Sequence, residues 1–129
     1  MDLIASGGEQ SRVMLALRTV LAVDREQKTL IFDEIDSGIG GRAAETVGRK
    51  LKALSNRYQI LCVTHLAQIA AFADRQYRIE KSVQKGRSVT RVDGIEGTAR
   101  VEELARMMSG SVTEIAREHV RELLKRSAV

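Results

Sequence analysis

The sequence predicts an α/β fold with parallel strands and flanking helices, and two observations support this fold class. Two apolar runs, Thr29-Leu30-Ile31-Phe32 and Ile60-Leu61-Cys62-Val63, have the length and composition of parallel strands that are buried on both faces. The segment between them has helical periodicity, because one stripe of it carries the apolar residues Ala44, Val47, Leu51 and Leu54. A strand, a helix and a second strand in this order predict a right-handed crossover and a parallel pair.

A helix is predicted before the first strand. Ser6 and Glu9 are spaced as in a capping box, in which two side chains satisfy the free N–H groups at a helix start. The residues that follow are apolar on most sides of a helix, so we expect this helix to be buried.

The second half of the chain is predicted to contain a short helix at about 67–73, an antiparallel hairpin and two closing helices. The hairpin strands lie around residues 77–79 and 89–92, with a turn near Lys85-Gly86. The first closing helix ends at Gly110, which suits the left-handed position after a helix. A second capping box at 111–114 predicts the start of the last helix. The apolar face of the first closing helix consists of Val101, Leu104, Ala105 and Met108.

The composition is that of one folded domain. The chain has 129 residues, of which 43% are hydrophobic and 29% charged, so the disordered class is excluded. Cys62 is the single cysteine, which excludes an internal disulfide and suits a reducing compartment. Because it lies in an apolar run, we expect a buried structural thiol. No apolar run approaches the length of a membrane-spanning helix, so we expect a cytoplasmic protein with no membrane partner.

The positive charge is concentrated in residues 75–91. The chain has a formal net charge of +4, and this stretch holds six basic residues with Glu80 as its only acidic one. A basic patch indicates a polyanionic partner such as DNA, and solvated edge strands of a hairpin are an equally good explanation. Since the chain has only four aromatic residues, any DNA contact is expected to be to phosphates rather than to bases. The basic residues are Arg75, Arg78, Lys81, Lys85, Arg87 and Arg91.

Both predicted parallel strands end in polar residues that can do chemistry. Asp33 and Glu34 follow the first strand, and Thr64 and His65 follow the second. Ligands of an open parallel sheet bind beyond the carboxyl ends of the strands. In phosphoryl transfer, Asp33 would hold Mg²⁺ and Glu34 would orient the attacking water or accept its proton. His65 would be a hydrogen-bonding sensor of the γ-phosphate. The alternatives are an exposed acidic turn for Asp33 and Glu34 and a structural histidine for His65, and the two motifs together favour the functional explanation.

The start of the first helix has the composition of a phosphate site. Gly7 and Gly8 let the backbone approach a ligand, and the free N–H groups and dipole of a helix start attract anions. A plain helix cap, with Ser6 as its N-cap residue, explains the same residues.

The order of these motifs resembles the series found in ABC ATPases. Ser6-Gly7-Gly8-Glu9-Gln10 is similar to the signature, Leu30-Ile31-Phe32-Asp33-Glu34 to Walker B, Ile35-Asp36-Ser37-Gly38-Ile39-Gly40 to the D-loop, and His65 to the switch histidine. Glutamate after the signature glycines and the Asp-Glu-Ile-Asp run resemble the SMC-related branch. Residues 29–42, 61–74 and 100–110 resemble the RecN family of bacterial DNA-repair ATPases.

Two positions depart from the pattern of these families. Gln10 stands where the RecN pattern usually has leucine. Gly40 stands where many ABC D-loops have aspartate, so the contact of that aspartate is not carried over to this chain.

The resemblance implies that residues 1–129 are the C-terminal half of an ATPase head in which two protomers sandwich two ATP molecules with Mg²⁺. Asp33, Glu34 and His65 would face the nucleotide of their own protomer. Ser6, Gly7 and Gly8 would reach the γ-phosphate of the nucleotide on the second protomer. The resemblance also assigns nucleotide binding to Glu9, Gln10, Ser37 and Gly38. Coiled coils would transmit the opening and closing of the heads to DNA at broken ends, in the nucleoid.

The sequence does not contain the phosphate-cradling pattern Gly-x-x-x-x-Gly-Lys-Ser/Thr. The resemblance implies that an N-terminal half of the same head supplies this Walker A loop, beyond a coiled coil. We therefore expect this chain alone to be inactive and to expose apolar surface and strand edges. The alternatives are a non-enzymatic DNA-binding or tethering module that uses residues 75–91, a different SMC or ABC head, and a transporter ATPase.

Overall fold

The computed structural model describes residues 7–20 and 29–128. Five helices and four strands lie in these ranges. In chain order they are α1 (Gly7–Val20), β1 (Thr29–Phe32), α2 (Gly41–Leu54), β2 (Gln59–Cys62), α3 (Ala67–Ala70), β3 (Gln76–Gln84), β4 (Arg87–Ile95), α4 (Gly97–Ser109) and α5 (Glu114–Ser127). The predicted mixture of a small parallel sheet and helices is confirmed.

The strands β1 and β2 pair in parallel, as predicted. Thr29 lies opposite Gln59, and the register continues to Phe32 opposite Cys62. The second strand ends at Cys62, one residue earlier than predicted, although the Val63 N–H still donates to the Phe32 carbonyl at 2.9 Å. The carboxyl ends of the two strands therefore lie side by side.

The prediction that both faces of these strands are buried is wrong for the described residues. Phe32 is buried in the core formed with α2, whereas Ile31 is 71% exposed and Leu61 is also exposed. Successive side chains of a strand point to opposite faces, and the described helices cover only one face of this sheet. The first core lies under the covered face and contains Leu15, Phe32, Ile35, Ala44, Leu51, Leu54, Tyr58 and Ile69.

Helix α1 is mostly exposed, which contradicts the prediction of a buried helix. Only Gly8 and Leu15 of this helix are buried. Its other apolar side chains need a neighbour that the described residues do not provide, so the expected exposed apolar surface is present. It includes Val13, Met14, Leu17 and Val20 of α1 with Ile31, Leu61 and Val63 of the sheet.

A second core joins α3 to α4 and α5. It contains Ala67, Ala70, Ala71, Leu104, Ala105, Ala116, Val120 and Leu123. The predicted apolar face of α4 is confirmed, since Leu104 and Ala105 are buried and Val101 and Met108 pack against them. Gly110 adopts the left-handed conformation after α4, with φ of 76°, as predicted.

The predicted start of α5 at residue 111 is wrong by two positions. Thr113 is the N-cap residue, and its hydroxyl accepts a hydrogen bond from the Ala116 N–H at 3.2 Å. A hydroxyl at the N-cap satisfies one of the free N–H groups of the first turn, and the sequence offers two hydroxyl residues within this segment. Ser111 is used differently, because its carbonyl accepts from the Ser109 hydroxyl at 2.8 Å.

The strands β3 and β4 form the predicted hairpin. Gln84 pairs with Arg87, so Lys85 and Gly86 are the two loop residues. Both have positive φ, 48° and 73°, which is the backbone of the two-residue turn that matches strand twist. One face of the hairpin is exposed and apolar, and it carries Tyr77, Ile79, Val83 and Val92.

In the described part of the chain no helix is both long and apolar enough to span a membrane.

Candidate functional site

The two acidic residues after β1 lie on a tight turn. The backbone N–H of Glu34 donates to Oδ1 of Asp33 at 2.9 Å, and the carbonyl of Glu34 accepts from the Ser37 N–H at 3.0 Å. Glu34 has a φ of 55°, a left-handed conformation that is uncommon for residues other than glycine. Both acidic side chains are exposed. The turn thus presents two carboxylates to solvent at the end of a strand, and strain at such a position often accompanies function.

Helix α1 is fastened to this turn by two side chains that the sequence analysis missed. The Ser11 hydroxyl donates to the Asp33 carbonyl at 2.6 Å. The guanidinium of Arg12 donates to the carbonyls of Ile35 and Ser37 at 3.2 and 2.7 Å. These bonds hold the start of α1 beside the carboxylates. The only signal in the sequence was the presence of polar residues one turn into an otherwise apolar helix.

Gly7 and Gly8, at the start of α1, lie in close contact with the acidic turn. A Cβ on Gly7 would clash with Oε2 of Glu34. A Cβ on Gly8 would lie 2.6 Å from Cβ of Ser37 and 2.7 Å from the carbonyl oxygen of Glu34. Glycine is therefore required at position 8 by the backbone of the turn itself, whereas at position 7 it makes room for a flexible side chain.

A cleft of about 320 Å³ collects four of the predicted site residues. Gly7, Gln10, Asp33 and Glu34 line it. Ser11, Met14, Ile31 and Phe32 complete its wall. Its volume is at the low end of the range for ligand pockets, about 300–1,000 Å³.

The other predicted site residues do not line this cleft. Gly8 is buried, and Glu9 is exposed on the first turn of α1. Ser37 and Gly38 are exposed on the turn after β1, and Gly38 has a φ of 72°. Ser6 lies outside the described residues.

His65 is paired with Asp36 and is not part of the cleft wall. Nδ1 of His65 lies 2.9 Å from Oδ2 of Asp36, and the His65 N–H donates to the same oxygen at 2.8 Å. The Thr64 hydroxyl donates to it at 2.5 Å. Asp36 is only 4% exposed, whereas the side chain of His65 is 74% exposed. Asp36 was missed as a site residue, although its place in the Asp-Glu-Ile-Asp run was a signal.

The surroundings of Asp36 favour its ionised form. Burial on its own would raise the pKa of this carboxyl group. The hydrogen bonds from Thr64 and from the backbone of His65, with the nearby imidazole, outweigh burial and hold the pKa below its ordinary value. Asp36 is therefore a carboxylate at neutral pH.

The acidic residues suit a metal ion that a bound ligand also coordinates. Within residues 7–20 and 29–128 no three His, Cys, Asp or Glu side chains converge on a point where a metal ion would be held. Mg²⁺ usually takes one or two carboxylates together with phosphate and water oxygens. Asp33, with Oδ1 held by the Glu34 N–H, is suited to be such a single protein ligand.

Cys62 is partly buried, and its thiol is kept in the unreactive form. Burial raises its pKa to about 12, and the charges of Asp36 and Asp33 act in the same direction. The prediction of a structural thiol is consistent with this environment, since the thiolate is the nucleophile.

The basic stretch does not form one continuous patch. Arg78, Arg87 and Arg91 lie on one face of the hairpin, and Lys81 lies on the apolar face. Arg78 pairs with Glu80 at 3.1 Å, and Arg91 pairs with Asp93 at 3.4 Å. Lys85 lies in the hairpin loop, where the turn was predicted.

Comparison with known proteins adds a family to this geometry. No family model matches the chain. The chain is 54% identical over 121 residues, or 94% of its length, to the DNA repair protein RecN of Deinococcus radiodurans. It is 51% identical over 124 residues to that of Streptomyces coelicolor and 42% identical over 125 residues to that of Bacillus subtilis. Over these residues the chain belongs to the RecN family. The resemblance found in the sequence is confirmed.

The RecN relatives are much longer than this chain. The chain spans about a fifth of their length, 21% of the Deinococcus radiodurans protein and 22% of the Bacillus subtilis protein. These relatives are bacterial and are named DNA repair proteins. What the whole protein binds and does is therefore a matter for proposal.

Proposed function

We propose that this chain supplies the Walker B and signature residues of an SMC-like head that binds and hydrolyses ATP in the repair of DNA double-strand breaks. The observation that carries the proposal is the shared cleft, in which Asp33 and Glu34 face the glycine start of α1. The carboxylates suit the magnesium ion of one nucleotide, and the helix N-terminus suits the phosphate of another. The names of the RecN relatives support a role in DNA repair.

In this proposal each acidic residue has its own task. Asp33, with Oδ1 fixed by the Glu34 N–H, holds Mg²⁺, which neutralises phosphate charge when bound. Glu34, whose carboxylate the turn presents to solvent, orients a water molecule and accepts its proton. His65 presents its exposed ring to the γ-phosphate. The Walker A loop comes from another segment of the same head, so residues 1–129 act as its C-terminal half.

The signature residues serve the nucleotide of a second protomer in this proposal. Ser6, Gly7 and Gly8 belong to the start of α1, together with Glu9 and Gln10. Ser37 and Gly38 lie on the neighbouring turn and complete the contact between protomers. Glu34 and Gly7 lie close together within one chain. Closure of the heads would therefore bring the nucleotide of the second protomer to a helix start that already lies against Glu34.

The second part of the proposal is that the protein contacts DNA in the cytoplasm. The contacts would be to the phosphates of the DNA backbone. Within residues 7–20 and 29–128 the hairpin loop suits this contact, because Lys85 and Arg87 are exposed at its tip. The ion pairs of Arg78 and Arg91 reduce what these two arginines offer to a phosphate. The stretch therefore offers fewer unpaired positive charges to a phosphate than its six basic residues indicate.

The test uses the full-length gene product with Mg²⁺ and ATP. Glu34→Gln is expected to bind ATP but to hydrolyse it about 10²–10⁴-fold more slowly, because the amide cannot accept a proton. Asp33→Asn is expected to weaken binding of Mg²⁺–ATP. Glu118→Gln, an exposed position on α5, is the control and should keep both properties. Loss of nucleotide binding to the same extent in both variants would contradict the separate roles, and absence of turnover in the parent protein would refute the function.

A further inference from the structure

The carboxylate of Asp36 accepts the hydrogen bonds that hold the turn after β2. A single oxygen of this side chain, Oδ2, accepts from the Thr64 hydroxyl and the His65 N–H and lies beside Nδ1 of His65. The Thr64 hydroxyl is itself fixed, because it also accepts from the Leu66 N–H at 3.1 Å. The side chain of Asp36 thus fixes the position of the His65 backbone and the orientation of its ring.

The turn that carries Asp36 is also held from the other side. Arg12 of α1 donates to the carbonyls of Ile35 and Ser37, which flank Asp36 in the chain. Ile35 is completely buried in the first core. Neither the backbone nor the carboxylate of Asp36 can shift without breaking several of these contacts, so the place of Nδ1 is fixed as well.

The charge of Asp36 decides which ring nitrogen carries the proton. An ionised carboxylate only accepts hydrogen bonds, so Nδ1 of His65 must be the donor at 2.9 Å. In the neutral ring the proton is then on Nδ1 and Nε2 has a lone pair. When Nε2 also carries a proton, each ring N–H has an acceptor. Asp36 accepts from Nδ1–H, and an approaching anion accepts from Nε2–H. Because Asp36 is buried, it cannot touch such an anion itself.

We propose that Asp36 is a positioning residue, which holds His65 in one orientation with Nδ1–H donated to its carboxylate, so that Nε2 faces the ligand and, when protonated, donates to it. This inference rests on the proposed function, because ATP turnover is what the positioned ring would serve. Asp36→Asn removes the negative charge of the acceptor at nearly the same size. The amide oxygen that faces the Thr64 hydroxyl and the His65 N–H accepts more weakly from Nδ1–H, so the preference for the Nδ1–H tautomer falls.

The first test reads the tautomer directly and needs no turnover. The full-length gene product is labelled with ¹⁵N-histidine, and the signals of His65 are assigned as those lost in His65→Ala. The proposal expects a protonated Nδ1 in the parent protein and a shift of the proton to Nε2, or a mixture of the tautomers, in Asp36→Asn. Thr64→Val is the matched control, since it removes another hydrogen bond to the same oxygen but leaves the tautomer unchanged. A bare Nδ1 in the parent, or the same tautomer in Asp36→Asn, would overturn the proposal even if ATP is hydrolysed.

The second test separates positioning from general stability. Asp36→Asn is expected to lower kcat for ATP at least 10-fold with a change in KM below about 3-fold, and to have no further effect on kcat in a His65→Ala background. An additional loss in that background would mean that Asp36 acts independently of His65 and would overturn the proposal. If the parent protein hydrolyses no ATP, the proposed function fails, whereas the tautomer measurement still decides the role of Asp36.

Discussion

The carboxylate of Glu34 lies against Gly7 at the first turn of α1, within the reach of any side chain at that position. The N-terminal end of a helix carries a partial positive charge, so a glutamate is electrostatically stabilised there. It also takes the place where an anionic ligand of α1 would be attracted. In the proposed head, Glu34 must turn away from Gly7 before a phosphate can approach the same helix end.

This contact predicts different tolerances at the two glycines. Gly7→Ala is expected to keep the fold, because the clashing atom belongs to the end of a flexible side chain. Gly8→Ala is expected to lower the free energy of unfolding by about 1–3 kcal/mol, because its Cβ would lie 2.7 Å from the Glu34 carbonyl oxygen. Urea denaturation of the two variants measures the difference. Equal losses would show that the turn after β1 yields as easily as the glutamate side chain.

The assignment of the signature to a second protomer predicts complementation between two inactive variants. Ser6→Arg would block the contact with the opposite nucleotide, and Glu34→Gln would remove the proton acceptor of its own site. In a mixed dimer, one site combines both defects and the other site has neither. Mixing the two full-length variants should therefore restore up to a quarter of the parental ATPase rate for random pairing and equal amounts, since half of the dimers then have one working site. Rates that stay at the level of the separate variants would assign the signature to its own protomer.

The hairpin loop is predicted to contact DNA phosphates. Lys85→Glu combined with Arg87→Glu should weaken duplex binding by the full-length gene product and should reduce the slope of log K against log salt by about 0.9 for each lost contact. The matched control reverses Arg49 and Lys50, two exposed basic neighbours on α2. If affinity and slope keep their parental values, the basic residues of the hairpin only keep its strands soluble.

Helix packing predicts an unusual result for a glycine in a helix. Alanine normally stabilises a helix by about 1 kcal/mol relative to glycine. At Gly48 of α2, however, a Cβ would lie 2.5 Å from Cδ2 of Phe72 and 3.2 Å from the Gln68 carbonyl. Gly48→Ala is therefore expected to lower the urea midpoint of the chain, while Arg49→Ala, at the exposed next position, changes stability by less than about 0.5 kcal/mol. A higher midpoint for Gly48→Ala would mean that Phe72 moves aside freely.

Local patterns were sufficient to predict most elements of this chain. The apolar run at β1, the stripe of α2 and the Lys85-Gly86 turn depend on neighbours in sequence, and each was predicted at or near its observed place. The exposure of Ile31 was not predictable in this way, because an apolar strand looks the same whether or not a second layer covers it. Burial depends on what packs against a strand rather than on the strand alone.

In the candidate site, the position of the acidic residues at the end of a strand was predictable, and the contacts that support them were not. Asp33 and Glu34 follow an apolar strand, which is a signal within one segment of the sequence. Asp36 supports His65 across 29 positions, and Arg12 reaches Ser37 across 25. Such contacts depend on the arrangement of several elements, so sequence periodicity gives no information on them.

The short helix α3 has a consequence for how this chain unfolds. Its Ile69 packs in the first core, while Ala67 and Ala70 pack in the second. When either core unfolds, α3 loses its support on that side, and the other core loses the packing of this helix. The two cores should therefore unfold in a single cooperative transition. A substitution that destabilises the first core near the carboxylates would then destabilise α4 and α5 as well.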